Sequence, residues 1–269
     1  MASTAGIDFL DHLSRESARF AKVMAATAAA DPVPSCPGWN ADDLLWHLGE
    51  VQWFWGSIVA QGVTSTDRAE ALRARRPAGR AELAEFFAAA SRTLGAVLAA
   101  SPPGTPAWTW SEDHSVGFIR RRQAHEALIH RLDAELTAGH RTAMDPRLSA
   151  DGVDEALRIM YGGDVPRWGH FEPAGGRALR IVASDTGGSW LVTLGRFAGT
   201  DPGSGTSYDE AGIQVAAADS GTPAAASVMA RAADLDCWLW RRPTAAQVDR
   251  SGNSAVLDGF DQVIAAGIS

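Results

Sequence analysis

The sequence is poor in cysteine, in lysine and in long apolar runs, and each shortage excludes something. Its 269 residues hold two cysteines, Cys36 and Cys237, far apart and outside any C-x-x-C pair. That argues against a disulfide scaffold and against a cysteine-built zinc site. No uninterrupted apolar run approaches the roughly 18–20 residues needed to cross a bilayer. Met1 to Asp11 carries no basic patch followed by an apolar stretch, so no signal peptide is expected. Lys22 is the single lysine among 24 basic residues, and the formal net charge is −8. A broad basic face for nucleic acid is therefore disfavoured. There is no G-x-S-x-G, no glycine-rich phosphate loop before a helix, and no internal repeat. What is present is 46% hydrophobic and 21% charged residues, enough for a packed core in one large domain or two ordinary ones. The expectation is a soluble, cytoplasmic protein acting on small molecules, with no membrane or nucleic-acid partner. Arginine in place of lysine, with many alanines, fits the codon bias of a GC-rich genome.

The first half reads as helices. From about Ile7 to Ala29, Phe9, Leu10, Leu13, Phe20 and Val23 fall mostly at helical spacing. Asp31-Pro32-Val33-Pro34-Ser35-Cys36-Pro37-Gly38 breaks the chain. Asn40 then offers an N-cap, with Asp42 and Asp43 in the first turn, where the helix dipole favours carboxylates. This predicts a helix from about Ala41 to Gln61 with Leu44, Leu48, Val51, Trp55 and Ile58 facing inward. After the basic linker Arg73–Gly79, helices are expected over Arg80–Ala100 and about Val116–Ala138, the last ending before Gly139. Four helices with short or medium connections make a bundle.

The second half changes period. Ala178–Ser184 and Trp190–Leu194 read as strands joined by a hairpin turn at Asp185-Thr186-Gly187-Gly188, and Gly212–Ala217 as a third strand. Pro223–Trp240 reads as a helix, and Ser254–Ala266 as a short final one. The result is an α+β domain, with the boundary between Thr142 and Ala150.

The segment richest in chemistry is Arg122 to Asp133. Glu126 and His130 are four residues apart, so a helix places them on one face about one turn apart. That is a workable platform for a divalent metal such as zinc, although a solvated helix face produces the same spacing. Arg122 and Asp133 extend the polar stripe beside Phe118, Ile129, Leu132 and Leu136. His125 lies nearer the apolar stripe and is either a ligand or a buried histidine with one partner. His47, beside Leu44, Leu48 and Val51, points toward the bundle interior, where it is either a ligand or a core histidine. Together His47, Glu126 and His130 give three N/O ligands and leave positions for water or substrate, the pattern of catalytic zinc. Trp46, Trp53, Trp55, Trp108 and Trp110 read as packing, with one or two walling a pocket. Ser111-Glu112-Asp113-His114 reads as a solvated loop or a site mouth.

These residues also carry a resemblance. Val33-Pro34-Ser35-Cys36-Pro37-Gly38-Trp39-Asn40, with Asp43-Leu44-Leu45-Trp46-His47-Leu48-Gly49, resembles the opening motif of the mycothiol-dependent maleylpyruvate isomerase family. Arg122 through His125-Glu126, His130-Arg131 and Asp133 resembles its second motif, and Ala233-Asp234-Leu235 to Trp238-Leu239-Trp240-Arg241-Arg242 its C-terminal domain. The resemblance implies a DinB-like four-helix bundle over residues 1–145 and a smaller α+β, sterol-carrier-like domain over residues 146–269. It implies zinc on His47, Glu126 and His130, and mycothiol as a thiol cosubstrate. In the isomerase the thiol adds to the cis double bond of maleylpyruvate, the new single bond rotates, and elimination gives fumarylpyruvate. It further implies an arginine from the C-terminal domain at the site. Arg242 fits that catalytic position best, with Arg241 close behind and Arg122 as another substrate-binding candidate. A mycothiol S-transferase would use the same thiol chemistry, and a non-catalytic apolar-ligand-binding protein would use only the cavity of the second fold.

Overall fold

The computed structural model describes residues 6–163, 165–216, 223–265 and 267–268. The chain divides into two units, one over residues 8–143 and the other over residues 144 onward together with Gly6 and Ile7.

The first unit is a four-helix bundle. Its long helices are α1 (Phe9–Ala25), α2 (Ala41–Ala60), α4 (Arg80–Ala100) and α5 (Val116–Thr137), with a five-residue helix α3 (Thr66–Glu70) in the connection. The expected first helix was longer at both ends than α1. The starts are fixed chemically. Asp8 accepts from the backbone N–H groups of Leu10 and Asp11 and so caps α1. Asn40 and Asp43 form a reciprocal capping box at α2. The Ser115 hydroxyl accepts from Phe118 N–H at α5. Gly139 ends α5: its φ of 73° lets His140 N–H reach Glu135 C=O at 3.0 Å. α1 packs on α4 and α5, and α2 on the same two helices, so α1 and α2 lie diagonally across the bundle. Phe20, Leu44, Leu48 and Phe87 form much of the shared apolar core. On length and composition α4 would also suit a bilayer, contrary to the sequence expectation. Here it is a bundle helix that buries Leu83, Phe87, Ala90, Leu94 and Leu98.

The second unit is a mixed sheet covered by helices. α6 (Pro146–Glu155) starts on the Asp145 cap with proline in its first turn and continues as a π-helical turn over Ala156–Tyr161. The strands are β1 (Gly169–Ala183), β2 (Ser189–Thr200), β3 (Ser207–Val215), β4 (Ala226–Ala230) and β5 (Asp249–Gly252). The order is β3-β2-β1-β4-β5, with β1 and β4 parallel and the other neighbours antiparallel. α7 (Ala232–Leu239) and α8 (Ser254–Ala265) complete the unit. Leu179, Ile181, Trp190, Val192, Val228, Leu235 and Phe260 build its dry core.

The expected β1–β2 hairpin forms, but both strands run well past the expected limits, and β1 carries an irregularity between Pro173 and Ala178. The expected helix over Pro223–Trp240 is corrected: its first part is β4 and only Ala232–Leu239 is helical. Alanine richness favours a helix locally. However, Ala226, Val228 and Ala230 are buried at a period of two, and β4 fills the place beside β1. Sheet pairing and burial therefore outweigh propensity here. The last positions of two expected elements, Ala217 and Ala266, lie outside the described residues.

Candidate metal centre

The geometry of α5 brings the chemistry together. Almost every residue from Arg122 to Glu135 is buried, so its charged side chains must find partners inside the protein. His47 on α2 meets Glu126 and His130 on α5. Their ligand atoms all lie within 4.8 Å of one another. His130 Nε2 is 3.0 Å and His47 Nε2 3.4 Å from Glu126 Oε1. Ligands held at about 2.1 Å in a tetrahedron sit roughly 3.4 Å apart, so the two separations from Glu126 are of the size a divalent ion requires. The His47 side chain is 31% exposed and that of His130 6%, which leaves the cluster approachable from the His47 side.

The remaining valences of these residues are occupied by groups that orient them. Arg122 donates to Glu126 Oε2 at 2.8 Å. Asp133, fully buried, takes His130 Nδ1 at 2.9 Å on Oδ2 and the Ser35 hydroxyl at 2.6 Å on Oδ1. Cys36 Sγ lies 3.7 Å from the same carboxylate. A carboxylate on Nδ1 fixes the ring so that Nε2 faces the ion position, a common support for metal-binding histidines. The loop that supplies Ser35 and Cys36 is tied to itself, with Val33 N–H bonded to Trp39 C=O at 2.9 Å and Trp39 N–H to Cys36 C=O at 3.0 Å. It also sets the Trp39 ring against His47, with centroids 4.8 Å apart.

The electrostatics follow from these contacts. Burial disfavours the charged form of Glu126, but hydrogen bonds from His130 and His47 and the nearby Arg122 hold its carboxyl well below the usual range. Burial also opposes a charge on His130, yet its bonds to Asp133 and Glu126 raise it to about 9 in the metal-free protein. An ionised glutamate and two imidazoles are the donor set that zinc and similar ions accept.

The other candidates have surroundings of their own. His125 is buried edge-on to Phe9, with centroids 6.1 Å apart, and is not part of the cluster. Arg122 is buried, and its donor to Glu126 makes it a support for that carboxylate. Arg241 and Arg242 lie in the second unit at the end of α7. Arg241 holds φ 56°, a conformation usually left to glycine. Its N–H bonds Trp238 C=O at 3.0 Å, and Arg242 N–H bonds Cys237 C=O at 2.7 Å, closing the helix end. The Arg242 guanidinium lies 5.8 Å from the centre of the Trp240 ring. Trp55 and Trp108 stack on each other, while Trp110 is 49% exposed. Glu112, Asp113 and His114 lie on an exposed turn. Sequence reasoning did not single out Ser35, Trp39 or the Asp133–His130 bond. The compact Pro-Ser-Cys-Pro-Gly-Trp run was the signal for Ser35 and Trp39, but the partner of Ser35, Asp133, lies 98 residues away.

Comparison with known proteins bears on the whole chain. Residues 10–135 match the mycothiol maleylpyruvate isomerase N-terminal domain, and residues 147–259 match the C-terminal domain of the same family. Among solved structures, a crystal structure of the mycothiol-dependent maleylpyruvate isomerase is similar with TM-score 0.56 and 10% identity, covering 91% of this chain and 93% of that one. A histidine-to-alanine mutant of that enzyme gives TM-score 0.55 and 11% identity over the same shares. At this identity the likeness concerns the fold. No match was found among curated proteins.

Proposed function

The chain belongs to the mycothiol maleylpyruvate isomerase family, and from that premise we propose that it is a zinc-dependent enzyme using mycothiol to isomerise maleylpyruvate or a similar cis-enedioate. The observation that carries the proposal is the convergence of His47, Glu126 and His130, with their ligand atoms within 4.8 Å, on a partly open face. A zinc ion held by these three side chains would supply an open coordination position and Lewis acidity, which keep a thiol deprotonated near neutral pH.

The protein's own residues do the rest. His47 and His130 would offer ring nitrogens to the metal, His130 giving up its proton, and Glu126 offers charge. Arg122 orients Glu126 through its donor to Oε2. Asp133 orients His130, and Ser35 holds Asp133. Trp39 limits the motion of His47. The substrate carboxylates need a cation that can make two parallel hydrogen bonds. Arg242 is proposed for that role and Arg241 as its neighbour. Arg122, already bonded to Glu126, is the weaker of the three for binding substrate. Within the substrate, addition of the thiol turns the double bond into a rotatable single bond, and elimination returns the thiol with trans geometry. A cytoplasmic setting fits this chemistry, since neither Cys36 nor Cys237 forms a disulfide.

The test is turnover of maleylpyruvate with and without mycothiol, on protein purified without chelator and again after metal removal. The proposal expects turnover that needs both thiol and metal and leaves the thiol unconsumed. Thiol consumption with a panel of electrophiles, and none of the isomerisation, would make the protein an S-transferase. Turnover that ignores the thiol would overturn both.

A further inference from the structure

The second unit holds a concavity that the metal reading does not use. A pocket of about 250 Å³ opens among Tyr161, Trp168, Phe171, Phe197, Tyr208 and Glu210. Strand register explains why these side chains meet. Phe171 stands opposite Phe197, and Phe197 opposite Glu210, so the three form one cross-strand row on one face. Gly169, Gly199 and Tyr208 form the next row on that face. Pro173, Gly195 and Gly212 form the row on the other side.

The glycines matter for shape. A Cβ at Gly195 would lie 2.4 Å from the Phe171 ring, and one at Gly169 would lie 2.4 Å from the Phe197 ring. The rings therefore lie over bare backbone, in space that side chains would otherwise fill. The centroids of Trp168 and Phe197 are 5.6 Å apart, those of Trp168 and Tyr208 5.6 Å, and those of Phe197 and Tyr208 6.3 Å. The three rings pack on one another as a single aromatic surface, and all three line the pocket. Tyr208 is 37% exposed, so the rings are within reach of solvent.

Charge then narrows the occupant. On the opposite face of the same strands, Arg196 pairs with Asp209. On the aromatic face Glu210 is exposed and has no cation beside it among the described residues. We propose that this pocket binds a small organic cation of the quaternary ammonium type, with Trp168, Phe197 and Tyr208 as the ring surface and Glu210 as the counter-charge. Ring faces attract a cation within about 6 Å of the centroid, most strongly when the cation is poorly hydrated. Glu210, exposed at the pocket, offers a counter-charge that a neutral guest could not use. Among the described residues that line the pocket Glu210 is the single carboxylate, too few for a metal ion.

The experiment is calorimetric titration of the intact chain with choline and with 3,3-dimethylbutan-1-ol, its neutral isostere. Choline should bind saturably in the millimolar range or tighter, with the isostere at least about tenfold weaker. Glu210→Gln and Tyr208→Leu, both at exposed positions, should each weaken choline by about three- to tenfold. Circular dichroism checks that both variants keep the fold. Equal affinity for the two compounds would make the pocket a neutral apolar cavity and overturn the proposal. So would the absence of saturable choline binding, or binding that neither variant weakens.

Discussion

Two clusters of buried charge share helix α5, little more than a turn apart, and they are finished differently. In the lower cluster, Arg131 donates to Glu16 at 2.7 Å and to Glu135 at 3.0 Å. Glu135 also accepts from Arg19 at 2.8 Å and from Thr142 N–H at 2.8 Å. The side chains of Arg131 and Glu135 are 2% and 0% exposed. Opposite charges alternate, and both carboxylate oxygens of Glu135 are covered. In the upper cluster, His47, Glu126 and His130 bring three donor atoms within 4.8 Å of one another and remain open to solvent on one side. The first arrangement ties α1 to α5 and to the chain beyond α5. The second is held by Arg122 and Asp133 and gathers His47, His130 and Arg122 around Glu126 Oε1 and Oε2. Buried charge of the same kind thus closes on itself in the first cluster and stays within reach of solvent in the second, which is the arrangement the proposed metal site needs.

Removing Arg131 would break the comparison on the structural side and should have the largest effect. Arg131→Ala strands Glu16 and Glu135 without their shared cation and should cost about 3–5 kcal/mol in chemical denaturation. The fraction that folds should still bind metal at the wild-type ratio. Next comes Glu126→Gln, which keeps shape but removes a negative ligand. It should lower metal affinity and thiol-dependent turnover at least about 100-fold, while the melting temperature of the metal-free protein moves far less than for Arg131→Ala. Asp133→Asn sharpens the distinction between ligand and support. It should weaken metal binding by about 10–100-fold without abolishing it.

Much of this difference was not legible in the sequence. Spacing alone put Glu126 and His130 on one face of a helix and turned His47 inward. It also marked the Asn40 cap, the end of α5 at Gly139 and the β1–β2 hairpin, because each depends on residues within a few positions. It could not assign Arg131, Asp133 and Glu135 to separate clusters, because what decides is Glu16, Arg19 and Ser35, brought in by the tertiary fold. The strand at Ala226–Ala230 was hidden for the same reason: a locally helical composition is overruled by its neighbour β1. The start at Pro146 was readable in principle from Asp145-Pro146, a cap followed by proline in the first turn.

Acidity separates the two clusters further. In the metal-free protein His130 is raised from 6.5 to about 9, so its charged form adds stability that is complete below about pH 6.5 and lost as pH rises through about 9. A metal must displace that proton, so affinity should climb by up to about tenfold per pH unit and level off above pH 9. Glu135 behaves in the opposite sense. Burial pushes its carboxyl up, but Thr142, Arg19 and Arg131 bring it down to about 2. Its contribution is present above about pH 4.5 and lost as pH falls through 2. Metal titrations and denaturation curves across pH check the two signs. The smallest effect is expected in the second unit: Arg241→Gly should shift stability by less than about 1 kcal/mol in denaturation, because glycine accepts φ 56° without strain but loses the guanidinium bond to Ala265 C=O at 2.7 Å.

The most direct measurement of the central claim is the metal content of the intact protein, taken by elemental analysis after purification without chelator and zinc supplementation. The account predicts about one zinc per chain in the wild type and essentially none in the His47→Ala, His130→Ala double variant, with both proteins folded. A wild type that takes up no metal, or a double variant that keeps full occupancy, would contradict it.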